Sequence, residues 1–221
     1  MKGVIFDFNG TMIFDKDFHD KAWRIFLESQ IHRQISETEF QEYVYGRSAQ
    51  DILTYFLNRE ISGSESIQIE EQKEKIYREL CLQSPAFHLA EGLPEFLDTL
   101  KEKKIPVTIA TASALNNMQF FFKHLGLERW FTLSGTVYND GTFVGKPAPD
   151  IFLKAGKLLN LPLSECIVFE DAKSGIQAAK SAGAGKIIGV ASMLDASALR
   201  SYGADIVIQN YKNLITGVEI L

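Results

Sequence analysis

The sequence predicts an α/β fold: a doubly wound, Rossmann-like parallel sheet with a four-helix segment inserted after its first strand. Short apolar runs, Val4–Phe6 and Cys166–Phe169 uninterrupted and Val107–Ala110 broken only by Thr108, have the pattern of strands buried on both faces of a parallel sheet. After Pro85 these runs alternate with helical patterns, and repeated β-α-β units wind helices onto both faces of one sheet. Residues from about 16 to 84 hold no strand-like run and repeat apolar and aromatic residues at helical spacing,. The expected division is therefore 1–14 with 85–221 as the α/β core, and 15–84 as a helical cap.

The elements follow in order. In the first cap helix Ala22, Ile25, Phe26 and Ser29 are expected on one face, with Trp23 and Leu27 beside them. Ser36 followed by Glu39 reads as a capping box opening the second helix. Ser48 to Leu57 reads as a third, and Gly63 with its serine neighbours as a loop. Ile67 to Cys81 reads as a fourth, with Glu71 and Lys75 as an i,i+4 pair. In the core, Gly92-Leu93-Pro94 opens a helix to about Lys103, and the strand 107–110 leads to a helix ending near His124. Gly141 places a turn in Tyr138–Val144, which reads as a short hairpin. A helix from Pro149 to Leu159 precedes the strand 166–169. A helix to Ala182, the strand Ile187–Val190, a short helix and the strand Asp205–Ile208 complete the alternation.

The chain of 221 residues is 46% hydrophobic and 23% charged, which is ordinary for a globular protein,. A net charge of −5 speaks against a nucleic-acid binder, which needs a basic face. An anionic substrate then requires local positive charge from a metal, a lysine or helix N-termini. Cys81 and Cys166 lack metal-ligand spacing and are expected as buried reduced thiols. The first residues, one lysine and a short run broken by Asp7, do not read as a secretory leader, and no run approaches the ~20 apolar residues of a membrane span. A cytoplasmic protein, monomer or weak dimer, with neither nucleic acid nor membrane as partner, is the expectation.

Three predicted strand ends and one loop carry polar groups of complementary type. Asp7 ends the first strand, Thr111-Ala112-Ser113 the second and Glu170-Asp171 the strand at 166–169, and Lys146-Pro147 forms the loop. A parallel sheet gathers the C-terminal ends of its strands on one edge, where open α/β folds place ligands. There a carboxylate such as Asp7 can attack phosphorus. Mg²⁺ between Asp7 and Asp171 would neutralise the phosphate, while Lys146 and the Thr111 hydroxyl hold the other phosphoryl oxygens. Each residue alone has a plainer reading. Asp7 would be a turn former, Thr111 and Ser113 helix caps, Glu170-Asp171 a charge pair at a helix start, and Lys146 a solvated loop residue.

Taken in order, Asp7-x-Asn9-Gly10-Thr11, Thr111, Gly145-Lys146-Pro147-Ala148-Pro149-Asp150 and Glu170-Asp171-x-x-x-Gly175-Ile176 resemble the four motifs of the haloacid dehalogenase superfamily. The β-phosphoglucomutase-like branch, with its helical cap inserted after motif one, is the most similar. The resemblance covers essentially the whole chain. It implies Asp7 as nucleophile, Asp171 as Mg²⁺ ligand, and Glu170 in or just outside the coordination shell. It further implies Thr111 and Lys146, with the neighbouring Ala112 and Ser113, as phosphate-binding residues, and the Asn9 backbone carbonyl as a metal ligand. In the cap, His19 before Ala22-Trp23 resembles the hinge-proximal histidine of that branch. Arg47 in Gly46-Arg47-Ser48 resembles a substrate-facing loop, and Lys73 is placed in the same cleft. For His19 and Lys73, plain solvent exposure is the alternative.

One position departs from the pattern. Family phosphatases carry a second aspartate where this chain has Asn9, and an amide can neither protonate a leaving oxygen nor activate water. General acid–base catalysis is typically worth ~10²–10⁴ in rate. The implied activity is a Mg²⁺-dependent phosphatase of a small phosphorylated metabolite, a sugar phosphate above all, slow on alcohols and less impaired on aryl esters. A phosphosugar mutase is a second reading, although Ala49 and Ala114 stand where the mutase carries basic residues. A phosphonate-cleaving hydrolase using Lys21 or Lys73 is a third. A phosphometabolite-binding protein with little turnover is a fourth.

Overall fold

The computed structural model describes residues 2–214; residue 1 and residues 215–221 of the expected core lie outside the described residues. The chain divides into two compact units, one formed by the residues up to Asp15 and from Phe87 onward, the other by Lys16–Ala86.

The first unit is built on β1 (Gly3–Phe6), buried at all four positions. Parallel pairing joins it to β2 (Val107–Ala114) on one side and β4 (Cys166–Glu170) on the other. With β3 (Val137–Asn139), β5 (Lys186–Val190) and β6 (Ile206–Ile208), the order across the sheet is β3-β2-β1-β4-β5-β6, every pair parallel. Winding reverses at β1, so the crevice at the C-terminal ends of β1, β2 and β4 is the switch point of the sheet.

Alternation along each strand divides the core between two faces. On one face Ile5 and Val168 join a cluster with Ile151 and Phe152 of α7 (Asp150–Leu159) and Ile176 of α8 (Lys173–Ser181). On the other, the Phe6 ring stacks on Phe169 with centroids 4.9 Å apart and meets Phe96 of α5 (Leu93–Glu102) edge-on at 6.4 Å. The remaining helices are α6 (Leu115–Leu125) and α9 (Ala196–Tyr202).

The hairpin expected at 138–144 is absent. Residues 137–139 form β3 as a parallel neighbour of β2. Beyond it Asn139 Oδ1 accepts from Gly141 N at 3.1 Å, and Asp140 Oδ1 accepts from Thr142 N at 2.9 Å. Side chains thus satisfy the backbone that a returning strand would have paired. Strand β2 runs four residues further than the apolar run predicted, to Ala114, with a bulge between Ala110 and Ala114.

The second unit comprises α1 (Lys16–Ile31), α2 (Glu37–Tyr43), α3 (Ala49–Leu57) and α4 (Gly63–Leu82). Trp23, Phe26 and Leu27 of α1 share its core with Phe40, Ile52, Leu53 and Phe56. Ile25, expected on the inner face, is half-exposed, because the buried stripe of α1 runs through Phe18, Ala22, Trp23, Phe26 and Leu27. Gly63 is not in a loop. Ser62 caps α4 by accepting from Glu65 N at 3.2 Å, so the helix starts at Gly63,. The capping box at Ser36 is one-sided: Ser36 Oγ accepts from Glu39 N, but the Glu39 carboxylate pairs with Arg33. Glu71 pairs with Arg78, two turns on, rather than with Lys75. Both cysteines are buried and neither forms a disulfide, and no helix among the described residues is long and apolar enough to cross a membrane.

Candidate active site

Asp7 is the first residue past β1. Its N–H donates to Phe169 O at 3.0 Å, one step beyond the Phe6–Phe169 pair, which brings Asp7 level with Glu170 at the end of β4. The chain then turns tightly, with Thr11, Met12 and Ile13 N–H groups all directed at Phe8 O. Gly10 makes this possible in two ways. Its φ of +72° lies in the left-handed region,, and a Cβ there would approach Asp171 Oδ2 to 2.1 Å.

Lys146 joins the strand ends. Its ammonium donates to Asp7 Oδ1 at 2.5 Å and to Glu170 Oε1 at 2.6 Å, with the side chain almost fully enclosed. The other Glu170 oxygen accepts from Ala172 N at 2.8 Å. Thr11 Oγ1 lies 3.4 Å from Asp171 Oδ1. Asp7, Glu170 and Asp171 are buried, and each offers a carboxylate oxygen within 4.8 Å of the others. Burial, reinforced by Glu170 and opposed by Lys146, raises the Asp7 carboxyl to about 7. Asp171 is raised well above the usual range by burial, then by Glu170 and Asp7. Burial on its own would lower the Lys146 ammonium, yet the two carboxylates beside it hold it above the ordinary lysine value.

The plainer readings fail for several of these residues. Lys146 is no solvated loop residue. Thr111 and Ser113 do not cap α6, whose N-cap is Ala114 without a side-chain bond. Both lie within β2, in its bulged stretch. Buried Thr111 accepts from Ser113 N at 3.1 Å, and Ser113 Oγ donates to Asn9 Oδ1 at 2.7 Å. Ala112 is exposed.

Asp15 was given no part by the sequence reading. It is buried, and its carboxylate accepts from Asn9 Nδ2 at 2.6 Å and from Gly10 N at 3.1 Å. A carboxylate just before a helix reads as a cap, which hides this turn back onto the loop. Tyr211 was also missed: its buried hydroxyl donates to Thr11 O at 3.1 Å. Only the fold could reveal a contact across so much chain.

Within the helical unit, Lys73 is 2% exposed, which overturns its solvated alternative. Its ammonium lies 2.5 Å from Glu74 Oε1, 3.1 Å from His19 Nδ1 and 5.1 Å from the Trp23 ring centre. The half-buried His19 ring stacks on Tyr77 at 4.1 Å. Lys21 is exposed. Arg47 is exposed between α2 and α3, after Gly46 at φ +72°.

A model of the haloacid dehalogenase-like hydrolases matches residues 1–183. The chain is 31% identical over 216 residues to a phosphorylated carbohydrates phosphatase of Thermotoga maritima, covering 92% of each chain. It is 29% identical to a β-phosphoglucomutase of Bacillus subtilis, covering 83% of this chain and 80% of the relative. A crystal structure of a HAD hydrolase, family IA, variant 3, from Entamoeba histolytica superposes with a TM-score of 0.90 at 39% identity, over 98% of this chain and all of that one.

Proposed function

The chain belongs to the haloacid dehalogenase-like hydrolases, and from that premise we propose a Mg²⁺-dependent phosphatase that cleaves a small sugar phosphate through an aspartyl phosphate on Asp7. Membership, with phosphatases among the relatives, makes it a phosphoric monoester hydrolase. The observation that carries the finer reading is the single ammonium of Lys146 set between Asp7 and Glu170, with Asp171 beside them.

The donor set fits the metal. Three buried carboxylates share one ammonium, leaving two negative charges when all are ionised, and hard oxygen donors suit Mg²⁺. Asp7, Asp171 and Glu170 would hold it, with the Asn9 backbone carbonyl. Bound there, it would neutralise phosphate charge and orient the phosphoryl group.

The chain's own groups supply the rest. The free Asp7 oxygen attacks phosphorus as the bond to the sugar oxygen breaks. Two of the three Lys146 N–H groups are engaged by Asp7 and Glu170, and the third is left for a phosphoryl oxygen. The Thr111 hydroxyl is the second phosphate donor. Water then cleaves the acyl phosphate, releasing phosphate and restoring the Asp7 carboxylate. Asn9 can pass no proton to the departing oxygen, so solvent must, which slows alcohol leaving groups by ~10²–10⁴ and aryl groups less.

The phosphatase is favoured over the mutase because exposed Ala114 offers no charge for a second phosphate. A phosphate-release screen of sugar and aryl phosphates, with and without Mg²⁺, tests the reading. Wild-type protein should release phosphate only with Mg²⁺, and Asp7→Asn should abolish release. Turnover that survives Asp7→Asn refutes the mechanism.

A further inference from the structure

The Asn9 carboxamide is held at both ends. Its nitrogen donates to Asp15 Oδ2 at 2.6 Å, and its oxygen accepts from Ser113 Oγ at 2.7 Å. Asp15 is itself fixed: its other oxygen accepts from Gly10 N at 3.1 Å, and the residue is 2% exposed. A carboxylate only accepts hydrogen bonds, so it selects a donor opposite it. Asparagine is the residue of its size that provides one. With Ser113 donating at the other end, the carboxamide has one orientation, nitrogen toward Asp15 and oxygen toward β2.

We propose that Asp15 is a positioning residue, which fixes residue 9 beside Asp7 and matches the site to an amide there rather than a carboxylate. This rests on the reading of Asp7 as the nucleophile only for its effect on turnover. Placing aspartate at position 9 alone would set two acceptors 2.6 Å apart with no donor between them. Exchanging the two side chains, Asn9→Asp with Asp15→Asn, keeps the bonds between residues 9 and 15, from Gly10 N and from Ser113 Oγ. Residue 15 then accepts from Gly10 N through its oxygen and donates through its amide nitrogen to the carboxylate at 9, which still accepts from Ser113. The carboxylate missing from this site would thereby stand where the carboxamide stands now.

The test is a double-variant cycle read by melting temperature and by turnover, with all proteins in the same Mg²⁺ buffer. Asn9→Asp should lower Tm by about 3–8 °C, because a buried acceptor is left opposed. Asp15→Asn alone should lose less, since two facing amides re-pair by turning over. The exchanged pair should recover most of the Asn9→Asp loss. On a sugar phosphate, kcat of the exchanged pair should exceed both wild type and Asn9→Asp by about tenfold or more, with KM within about twofold. Independent, additive Tm changes overturn the pairing. Coupled Tm values with kcat unmoved overturn the positioning role and leave Asp15 merely structural. Should no variant turn over any phosphate ester, the function reading fails, while the Tm cycle still decides the Asp15–Asn9 match.

Discussion

The Glu170 carboxylate fills the space where a side chain at Gly175 would stand: a Cβ there would approach Oε1 to 1.6 Å. Gly175 lies in the first turn of α8, packed against the acid that Lys146 and Ala172 N hold. Gly175→Ala should therefore push Glu170 off both partners, although alanine is the better helix former. We expect Mg²⁺ affinity to fall about tenfold or more, and stability to fall by roughly 1–3 kcal/mol. Calorimetric Mg²⁺ titration beside urea melts checks this; unchanged affinity would mean that Glu170 does not need its present place.

Charge crowding gives the metal-free protein a pH signature. Asp7 ionises near 7 in the folded protein against 3.8 as the ordinary value, chiefly through burial, and Asp171 is raised in the same direction. Between those values the folded state holds more protons than the unfolded one, so stability falls as pH rises through this window and levels off above it. In EDTA, Tm should be lower near pH 7.5 than near pH 5.5. Mg²⁺ should remove much of the difference, and Asp7→Asn should reduce it, leaving the part carried by Asp171 and Glu70. The lowered carboxylates, Glu39, Glu65, Asp140 and Asp195, act at more acid pH, while Glu70, raised by burial, adds to the fall in the same direction. A metal-free Tm that climbs across it would contradict the assignment.

Lys146 is the sole cation against Asp7 and Glu170 among the described residues. Lys146→Met should cost about 3–5 kcal/mol without metal, the loss usual when one partner of a buried pair is removed. Mg²⁺ should return a good part of it by restoring positive charge. Thermal melts with and without EDTA measure the two losses; equal losses would show that the cation and the metal do not answer the same charges.

Ser62→Ala tests the start of α4. Loss of the bond to Glu65 N should cost about 1 kcal/mol and raise hydrogen exchange in residues 63–66 while leaving Lys73 and its neighbours protected. Unchanged exchange would put the helix start beyond Gly63.

Strands were legible where composition alone determines them. Val4-Ile5-Phe6 and Ile167-Val168-Phe169 have no polar face, so only a doubly covered strand accommodates them. Asp7, Lys146 and Glu170-Asp171 were legible because they follow such runs or lie between them. The hairpin failed because Asn139, Asp140 and Gly141 have turn chemistry that serves equally to end a parallel edge strand. Ser62-Gly63-Ser64 read as loop because small residues at a helix start resemble a linker. Asp15 and Tyr211 carry no local pattern, since their roles depend on a folded turn and on chain far away in sequence.

The strand order also has a meaning for the growing polypeptide. Asp7 leaves the ribosome 139 residues before Lys146, the cation it faces, and before Glu170 and Asp171 as well. Strand β1, central in the sheet, must wait for β4 before its second flank is covered, whereas all four helices of the inserted unit have already been synthesised. A nascent chain can thus finish its helices while the founding strand is still one-sided. The acidic centre is complete only once Glu170 and Asp171 have followed Lys146 out of the ribosome, so a product cut before them has its helices but lacks two of the three carboxylates.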